Sequence, residues 1–391
     1  MKAGLLGRTL GHSLSPQVHR LFGDYDYRLY AREPDDVADF LRDGFSAGTF
    51  DFLNVTIPYK QTVFALCDDL TPVARRLGNV NFVQRDAAGR LVGDNTDAFG
   101  VERLLDSAGA DVSGLNCAIL GAGGAAMTVR AVLEARGARR VAFVRRGERP
   151  ASDDELIVNA TPVGMFPDVD GARIDARDYP NCRFVLDLVY NPSPTRLVRE
   201  ARACGKTAVD GLVMLVAQAF RAAQLAFPGP LRPLYLYGPP ASGKSTLARQ
   251  VAAATGWRLV DLDAEIERTA GRTIPEIFSA EGERGFRARE RDALEVCARK
   301  GGAEGLVVAL GGGALLDPAC RRLAEESGRV VVLDCPLAVL QSRLAGGNRP
   351  LSADAERLAA LVRSRAAHYE SFPRHVALPA RGFTVRVGAK L

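Results

Sequence analysis

The sequence predicts an α/β protein in which parallel strands alternate with helices, organised as two parts in tandem. Three observations support this prediction. Short apolar strand segments alternate with helical segments along most of the chain. Two glycine-rich loops each follow a strand and open a helix, and a proline-rich segment separates them. Because 391 residues exceed what a single hydrophobic core usually organises, we expect at least two domains.

The elements of the first part follow from the change between strand-like and helix-like hydrophobic periodicity. The predicted strands are Lys2–Leu6, Asp26–Tyr30, Phe50–Val55, Asn116–Leu120, Arg140–Val144, Leu156–Ala160 and Phe184–Leu188. The predicted helices are Pro16–Phe22, Pro34–Leu41, Asp97–Ser107, Ala125–Arg136, Pro194–Ala203 and Leu212–Ala226. This alternation predicts parallel sheets with helices on both faces, one layer before about residue 100 and a second from Asn116 onward.

The first glycine-rich loop follows the predicted strand Asn116–Leu120 and suits the phosphates of a dinucleotide. The backbone N–H groups of Gly121, Gly123, Gly124 and Ala125 precede a helix, and a helix N-terminus attracts phosphate. The loop has no lysine, which favours a dinucleotide over a nucleoside triphosphate. A short glycine cluster can also form a plain turn, but the flanking strand and helix favour binding.

Two arginines, Arg145 and Arg146, follow the second strand of this layer. An acidic residue at this position would hold the ribose hydroxyls of NAD, whereas arginine suits the additional 2′-phosphate of NADP. The two side chains could also simply be solvated. We therefore expect NADP and keep NAD as the alternative.

Three polar segments, residues 11–19, 54–60 and 93–100, lie at predicted strand ends, where ligands bind in open α/β sheets. Their hydroxyl, amide, ammonium and carboxylate groups suit a small polyhydroxylated acid. Reducing a ketone requires a hydride on carbon and a proton on oxygen, and Lys60 and Asp97 form a candidate acid–base pair. Asp97 could instead cap a helix.

Residues 1 to about 227 resemble the shikimate dehydrogenase family through the segments H-S-L-S-P, N-V-T-I-P-Y-K, G-D-N-T-D, N-A-T-P-V-G-M and V-Y-N-P. The resemblance implies that Lys60 and Asp97 are the catalytic pair. It implies a shikimate pocket formed by Ser13, Ser15, Asn54, Thr56, Asn81 and Gln218. It also implies contacts with the nicotinamide side of the cofactor from Thr161, Met165, Tyr190 and Gly211.

Three departures from this family pattern lie near the expected ligands. Asn79 and Phe82 replace the usual alanine and threonine beside the substrate pocket, and the usual N-R-T after the second Rossmann strand reads Val144-Arg145-Arg146. Only Gly147–Glu155 then separates this point from the next strand, where the family normally has a further helix and strand. We therefore predict a trimmed Rossmann domain that lacks one strand–helix unit at the adenosine end.

The second glycine-rich loop follows the predicted strand Leu234–Tyr237 and has the pattern G-x-x-x-x-G-K-S-T. In this pattern the lysine contacts the β- and γ-phosphates of ATP, and the hydroxyl that follows binds Mg²⁺. The strand before the loop and the helix after it favour this assignment over a chance match. The expected ATP contacts are Gly238, Gly243, Lys244, Ser245 and Thr246.

Groups for a phosphoryl acceptor are expected from segments further along the chain. Asp261 and Asp263 follow a predicted strand, so one carboxylate could support the metal while the other orients a hydroxyl. Arg287 and Glu290 share one helix face. Two arginines suit a small carboxylate. The remaining candidates are Gly311, Gly312, Gly313, Arg365, and Arg349 within the lid-like segment Asn348–Leu351.

Residues 234 to about 378 resemble the shikimate kinase family, whose D-x-D, G-E-x-x-F-R-x-x-E, G-G-G and R-P-L motifs occur here in order. The resemblance implies that Asp263 acts as base or orienting group and that Arg349 stabilises the transferring phosphoryl group. Ala241 and Ala367 replace a usual glycine and proline without removing a chemical group. The implied shikimate ligands are Asp263, Arg287, Gly311, Gly312, Gly313 and Arg365.

The stiff segment Phe227–Pro233 contains three prolines and is the predicted boundary between the two parts. We predict a shikimate-binding α/β domain over residues 1–100, a Rossmann NADP-binding domain over 101–210 and a C-terminal dehydrogenase helix over 211–227. A linker over 228–233 then leads to a P-loop kinase domain over 234–391.

Bulk properties argue against several classes of protein. A net charge of +5 without a basic block argues against nucleic-acid binding. Seven cysteines without a C-x-x-C pair indicate reduced thiols, and Met1–Gly7 reads as a first strand and not as a signal peptide. No apolar stretch reaches the ~18–20 residues of a membrane span. We therefore expect a cytoplasmic enzyme with small-molecule partners, and the sequence does not predict its oligomeric state.

Together the two resemblances imply consecutive reactions on one chain. The first is reduction of 3-dehydroshikimate to shikimate with NADPH, and the second is phosphorylation of shikimate to shikimate 3-phosphate with ATP and Mg²⁺. Two alternatives remain open. The first part could act on quinate or use NAD, or it could be a catalytically weak or dead shikimate-binding module beside an active kinase.

Overall fold

The computed structural model describes residues 1–11, 13–229, 232–301, 305–345 and 351–377. The chain divides into two compact units, and the division falls mainly between Pro228 and Gly229. This point lies inside the proline-rich segment Phe227–Pro233.

Six strands form the first sheet of the N-terminal unit: β1 (Lys2–Gly7), β2 (Asp26–Ala31), β3 (Phe52–Val55), β4 (Asp69–Leu70), β5 (Phe82–Arg85) and β6 (Leu91–Asp94). Their order is β2-β1-β3-β5-β6-β4. Strand β1 is parallel to β2 and β3, but β5 is antiparallel to β3 and β6. The expectation of a parallel layer before residue 100 is therefore wrong in part. Only residues 86–90 connect β5 to β6, and a parallel pair needs a much longer crossover.

Four helices accompany this sheet: α1 (Ser15–His19), α2 (Val37–Ser46), α3 (Lys60–Leu66) and α4 (Pro72–Leu77). A 3₁₀ turn occupies Pro34–Asp36, so α2 begins three residues later than predicted. The buried side chains of Val37, Leu41 and Phe45 recur every four residues along α2, and they share a hydrophobic cluster with Leu53 of β3. This packing fixes the strand whose end carries Asn54.

The second sheet contains β7 (Asn116–Leu120), β8 (Arg140–Val144), β9 (Leu156–Asn159), β10 (Phe184–Asp187) and β11 (Thr207–Val209), all parallel, in the order β11-β10-β9-β7-β8. Its helices are α5 (Asp97–Ser107), α6 (Gly124–Ala135), α7 (Arg196–Ala203) and α8 (Leu212–Ala226). The predicted boundary at residue 100 falls within α5. The parallel sheet and the loop between β7 and α6 confirm the Rossmann-like fold.

Strand β8 forms one edge of this sheet. The described residues between β8 and β9, 145–155, contain no helix or strand, in agreement with the predicted loss of one unit. A segment that follows β9 packs against this edge strand. Its residues Ile174, Ala176 and Tyr179 share a hydrophobic cluster with Val144 of β8. The trimmed edge is therefore packed by residues that follow β9.

The C-terminal unit contains a parallel five-stranded sheet of β12 (Leu234–Tyr237), β13 (Arg258–Asp261), β14 (Leu306–Ala309), β15 (Arg329–Asp334) and β16 (His375–Ala377), in the order β13-β14-β12-β15-β16. Its helices are α9 (Lys244–Thr255), α10 (Leu262–Ala270), α11 (Ile274–Lys300), α12 (Pro318–Ser327), α13 (Leu337–Ala345) and α14 (Leu351–Glu370). The loop that follows β12 therefore leaves the middle of the sheet.

Helix α11 is interrupted at Gly282, whose φ of 67° lies in the left-handed region. The Arg/Glu-rich run Glu281–Arg291 favours a solvated helix face apart from Arg287 and Glu290, and in the structure Phe286 and Glu290 are buried. The interruption and the buried residues bring one face of this run toward the sheet. None of the helices in the described part of the chain is long and apolar enough to cross a bilayer.

Candidate active sites

The N-terminal unit joins Lys60 and Asp97 in an ion pair between Nζ and Oδ2. These residues begin α3 and α5 respectively. Asn81 Nδ2 donates to the other carboxylate oxygen of Asp97 at 2.8 Å. Both carboxylate oxygens of the buried Asp97 are therefore engaged, and it does not act as a helix cap. The ammonium group of Lys60 is held in one position, as a proton donor must be.

Among the predicted shikimate ligands, the two serines bond to each other and the two asparagines connect to the Lys60–Asp97 pair. Ser13 Oγ donates to Ser15 Oγ at 3.1 Å. Asn54 Nδ2 donates to the Asn81 backbone oxygen at 3.4 Å, and Asn81 in turn bonds to Asp97. An amide chain therefore runs from the end of β3 to the Asp97 carboxylate, the predicted acid–base partner of Lys60.

Thr56 and Gln218, the remaining predicted shikimate ligands, lie on different elements of the N-terminal unit. Thr56 follows β3, and its backbone N–H donates to the Leu6 oxygen at 2.9 Å. Gln218 lies on α8, beside Gly100 of α5: a Cβ at Gly100 would stand 3.6 Å from that of Gln218. Close packing of α5 and α8 thus places Gln218 one helical turn from Asp97.

Three further residues support this pocket: Asn95 and Thr96, which lie in the predicted polar segment 93–100, and Tyr27, which was not predicted. The Tyr27 hydroxyl donates to Asn54 Oδ1 at 3.0 Å. Asn95 Oδ1 accepts the backbone N–H of Asp97 at 3.0 Å, and Thr96 N–H donates to Asn81 Oδ1 at 2.6 Å. Asn95 and Thr96 directly precede Asp97 in sequence, which is a usable signal, whereas nothing in the sequence marks Tyr27.

The glycine loop after β7 fits a dinucleotide diphosphate. Gly121 has a φ of 104°, and a Cβ there would lie 3.0 Å from Thr161 Cγ2. A Cβ at Gly123 or Gly124 would meet no atom within 4 Å, so the backbone before α6 faces open space. Ala125 is the second residue of that helix. The loop can therefore present backbone N–H groups to phosphate.

A buried carboxylate, Asp187 at the end of β10, holds the two loops predicted to face the nicotinamide. Its Oδ1 accepts from Asn159 Nδ2 at 2.8 Å and from Val189 N–H at 3.1 Å, and its Oδ2 accepts from Thr195 Oγ1 at 2.7 Å. Asn159 Oδ1 in turn accepts the Thr161 hydroxyl at 2.6 Å. Burial raises the pKa of Asp187 to about 6.

Met165 and Tyr190 belong to these two loops. The loops are joined directly, because Phe166 N–H donates to the Asn191 oxygen at 2.9 Å. Gly211 N–H donates to the Val189 oxygen at 3.0 Å, and a Cβ at Gly211 would approach the Leu188 oxygen to 2.1 Å. The start of α8 therefore packs tightly against the segment that carries Tyr190.

Arg145 and Arg146 are exposed at the end of β8. The Glu148 carboxylate accepts the Arg145 backbone N–H at 2.7 Å and closes a short turn. Both residues therefore lie at the strand end where Rossmann domains read the ribose of a bound dinucleotide.

The C-terminal unit carries its phosphate loop between β12 and α9. Gly238 and Gly243 have φ values of 131° and 97°, and a Cβ at Gly238 would approach the Leu333 oxygen to 2.9 Å. Ala241, in place of the usual glycine, also has a positive φ of 60°. The buried Ser242 hydroxyl has no hydrogen-bond partner among the described residues. An unpaired buried hydroxyl within such a loop fits a missing phosphate oxygen.

Lys244 and Ser245 begin α9, and Thr246 follows with an exposed side chain. Lys244 Nζ donates to the oxygens of Gly238 and Pro239 at 3.0 and 2.9 Å. Burial lowers the pKa of Lys244 to about 8, against the opposite effect of Asp263. Phosphate oxygens beside this ammonium group would favour its charged form.

Ser245 Oγ donates to Asp261 Oδ2 at 2.9 Å. A hydroxyl and a carboxylate oxygen together suit Mg²⁺, which binds few protein oxygens and completes its shell with phosphate and water. Within the described ranges, no group of three or more His, Cys, Asp or Glu side chains is arranged to hold a metal ion. Ser245 and Asp261 thus fit a cation that arrives with its nucleotide.

The glycine triplet after β14 contacts the other predicted groups of this site. A Cβ at Gly311 would lie 2.9 Å from Asp263 Oδ1. A Cβ at Gly312 would lie 3.4 Å from the Gly238 oxygen of the phosphate loop, and one at Gly313 would lie 3.0 Å from Arg287 Nη2. The triplet therefore adjoins the phosphate loop, the acceptor carboxylate and an arginine.

The two predicted carboxylate-binding arginines converge on this triplet. Arg287 Nη1 donates to Glu290 Oε2 at 2.6 Å, and Arg365 Nη1 donates to the Gly312 oxygen at 3.0 Å. The Tyr369 hydroxyl, which was not predicted to take part, donates to the same oxygen at 2.7 Å. The predicted phosphoryl-stabilising residue, Arg349, lies outside the described residues.

Burial and the charge of Asp261 raise the pKa of Asp263, while Lys244 opposes the shift. Burial also raises the pKa of Glu290, although Arg287 acts in the opposite direction. Two carboxylates of increased proton affinity therefore flank the triplet. This is the setting expected for groups that accept hydrogen bonds, or a proton, from a hydroxyl substrate.

These two sites define a dinucleotide-dependent oxidoreductase unit followed by a P-loop kinase unit. The family model for the shikimate dehydrogenase substrate binding domain matches residues 5–83, and that for shikimate kinase matches residues 240–381. The chain belongs to the shikimate dehydrogenase family over its N-terminal part, and it carries a shikimate kinase domain after it.

Known proteins agree with this assignment. The chain is 34% identical over 259 residues to shikimate dehydrogenase (NADP(+)) of Crocosphaera subtropica, covering 57% of this chain and 89% of that relative. A crystal structure of shikimate 5-dehydrogenase from Thermus thermophilus in complex with NADP(H) and shikimate matches at 30% identity and a TM-score of 0.53, covering 59% and 94%. Quinate dehydrogenase from Corynebacterium glutamicum in complex with NAD matches at 28% and 0.53, covering 59% and 94%.

Proposed function

We propose that this shikimate-pathway enzyme catalyses two consecutive reactions. The N-terminal unit reduces 3-dehydroshikimate to shikimate with NADPH, and the C-terminal unit transfers the γ-phosphoryl group of ATP to the shikimate 3-hydroxyl with Mg²⁺. The observation that carries the proposal is the grouping of polar and charged side chains within each unit. The Lys60–Asp97 pair is continuous with the substrate amides, and the phosphate loop adjoins the triplet that carries the acceptor groups.

In the first reaction the chain binds the substrate and moves a proton. The side chains of Ser13, Ser15 and Asn54 present hydroxyl and amide groups to a polyhydroxylated acid. The ammonium group of Lys60 delivers a proton to the carbonyl oxygen that is reduced, and Asp97 holds that ammonium in place. NADPH supplies the hydride when it is bound at the glycine loop. The reverse reaction uses Lys60 as the proton acceptor.

In the second reaction the chain positions the acceptor hydroxyl and neutralises charge. Asp263 accepts a hydrogen bond from the 3-hydroxyl and orients its oxygen for attack. Arg287 and Arg365 hold the shikimate carboxylate, which fixes the ring against Gly311–Gly313. Lys244 compensates negative charge on the phosphates, and Ser245 with Asp261 holds Mg²⁺.

The trimmed adenosine end favours one rival function, a dehydrogenase unit that binds shikimate without turning it over. The exposed arginine pair after β8 supports NADP, whereas the relative named as a quinate dehydrogenase was solved with NAD. These alternatives predict different substrate and cofactor dependence of the same full chain.

The experiment measures the initial rate of dinucleotide reduction by the full chain. Each of the two substrates, shikimate and quinate, is combined with each of the two cofactors, NADP⁺ and NAD⁺. We expect the highest kcat/KM for shikimate with NADP⁺. Preference for quinate or NAD⁺ would replace the proposed substrate or cofactor. Shikimate binding without dinucleotide reduction, together with normal phosphorylation of shikimate, would identify the N-terminal unit as a binding module.

A further inference from the structure

A third arginine, Arg173, lies at the turn that carries Arg145 and Arg146. Its Nη2 atom donates a hydrogen bond to the Arg145 backbone oxygen at 2.8 Å, although the two residues are 28 positions apart in the chain. Arg145 directly follows β8, so the contact is at the end of the second Rossmann strand. This is the strand end at which Rossmann domains distinguish the ribose 2′-hydroxyl from a 2′-phosphate.

The segment that carries Arg173 covers the sheet where one strand–helix unit is missing. Ile174 and Ala176 share a hydrophobic cluster with Val144, the last residue of β8. The partly buried Ile174 and the buried Ala176 follow Arg173 closely and anchor its backbone beside the strand end. Arg173 therefore reaches the Arg145 turn from a packed segment.

The guanidinium group of Arg173 keeps unused hydrogen-bonding capacity and an uncompensated charge. Its Nε atom is buried and has no hydrogen-bond partner among the described residues. No carboxylate in the described part of the chain forms an ion pair with it, whereas Arg177 on the same segment is paired with Asp175 at 2.5 Å. A buried, unpaired N–H is unfavourable unless a ligand or water satisfies it.

The planar guanidinium can serve the protein and a ligand at the same time. One N–H group is committed to the Arg145 oxygen, and the others form a fork that matches a phosphate. The Glu148 carboxylate is bonded to the Arg145 N–H at this turn and reduces the local positive charge. Arg145, Arg146 and Arg173 together exceed that single negative charge by two, so the turn retains a net attraction for an anion.

We propose that Arg173 is a specificity-determining residue for the cofactor, recognising its 2′-phosphate together with Arg145 and Arg146 in place of the missing unit. The inference rests on the proposed use of NADP. It assigns selectivity for NADP over NAD to a residue of the segment between β9 and β10. The Rossmann pattern itself points only to the two arginines that follow β8.

Titration calorimetry of the full chain with NADP⁺ and NAD⁺ tests the proposal, because the two dinucleotides differ only in the 2′-phosphate. Arg173→Ala should weaken NADP⁺ binding about tenfold and change NAD⁺ binding less than twofold, since a hydrogen bond to a charged group contributes about that factor. Arg173→Lys keeps the charge but loses the fork, so its NADP⁺ affinity should fall between those of the wild type and Arg173→Ala. The matched control, Arg177→Ala, should leave both affinities unchanged.

An equal loss of both affinities would show that Arg173 only supports the turn, and unchanged affinities for both dinucleotides would show that other groups read the phosphate. Either result overturns the inference while leaving the proposed function intact. A wild-type chain that binds neither dinucleotide would contradict the proposed function itself. Thermal melting verifies that each variant folds; if Arg173→Ala does not, selective loss of NADP⁺ affinity in Arg173→Lys decides the question.

Discussion

At the scale of single residues, Lys60 is the side chain on which the first reaction depends most. Arginine greatly outnumbers lysine in this chain, and arginine does not release a proton. Lys60→Ala should lower the dehydrogenase kcat by ~10²–10⁴-fold, the usual contribution of a general acid–base group, and leave shikimate phosphorylation unchanged.

Lys2→Ala is the matched control for Lys60→Ala, because it removes an ammonium group that donates to the Gly48 oxygen at 3.1 Å on the surface. Its dehydrogenase rate should equal that of the wild type. A Lys60→Ala enzyme that keeps more than about a tenth of the wild-type rate would remove Lys60 from proton transfer.

For the second reaction, the position of Gly313 allows a prediction about shikimate binding. A Cβ at this position would stand 3.0 Å from Arg287 Nη2 and 3.3 Å from Arg365 Nη1, so Gly313→Ala must displace both guanidinium groups. Each charge-assisted hydrogen bond contributes ~1.5–3 kcal/mol, and partial loss of two should raise the kinase KM for shikimate about tenfold. The KM for ATP should stay within a factor of about two. A rise confined to ATP would place the carboxylate pocket elsewhere.

Sequence reasoning identified residues whose chemistry is carried by a local motif. Lys60, Asp97, Lys244 and Ser245 were marked by neighbouring residues, and the structure brings each pair together. Tyr27 could not be identified in this way, because its contact is with a residue 27 positions away and depends on the pairing of separate strands. The same limit applied to Arg173.

At the scale of elements, the buried Asp187 links the loops after β9 and β10. Asp187→Ala would leave the donors of Asn159, Val189 and Thr195 unsatisfied, and we expect a loss of about 3 kcal/mol in the free energy of unfolding, measured by urea denaturation. Asp187→Asn should lose less, because the Thr195 hydroxyl can turn and accept a hydrogen bond from the new amide. A loss of less than about 1 kcal/mol in Asp187→Ala would mean that the carboxylate network does not support the loops.

The same network predicts a pH dependence. Burial raises the pKa of Asp187 from 3.8 to about 6, so the folded protein binds this proton more tightly than the unfolded chain. The associated stability is fully present below about pH 4 and is lost as the pH rises through about 6. Relative to Asp187→Asn, the wild type should therefore lose up to about 3 kcal/mol between pH 4 and pH 7. A pH-independent difference would contradict the raised pKa.

Element positions were largely predictable, and the errors have local causes. The strands Asn116–Leu120 and Arg140–Val144 agree residue for residue with β7 and β8 because each is a continuous apolar run before a turn. The hairpin of β5 and β6 was missed, since its short strands have mixed polarity. Without it, the antiparallel character of the first sheet could not be predicted.

At the scale of the whole molecule, the two units should work as independent catalysts. Lys244→Met removes the ammonium group from the phosphate loop of the C-terminal unit. It should abolish phosphorylation of shikimate and leave NADP⁺ reduction by shikimate at the wild-type rate. Parallel loss of both activities, with an unchanged melting temperature, would show that the two units do not function independently.

The measurement that tests the central claim most directly is formation of shikimate 3-phosphate from 3-dehydroshikimate by the purified full chain, supplied with NADPH, ATP and Mg²⁺. The account predicts one NADPH oxidised and one ADP formed for each product molecule detected by mass spectrometry. Lys60→Ala and Lys244→Met should each yield no product alone, and an equimolar mixture of the two should restore it through released shikimate. If 3-dehydroshikimate stays unreduced while added shikimate is phosphorylated normally, the N-terminal unit is not a dehydrogenase and the claim of two reactions on one chain is wrong.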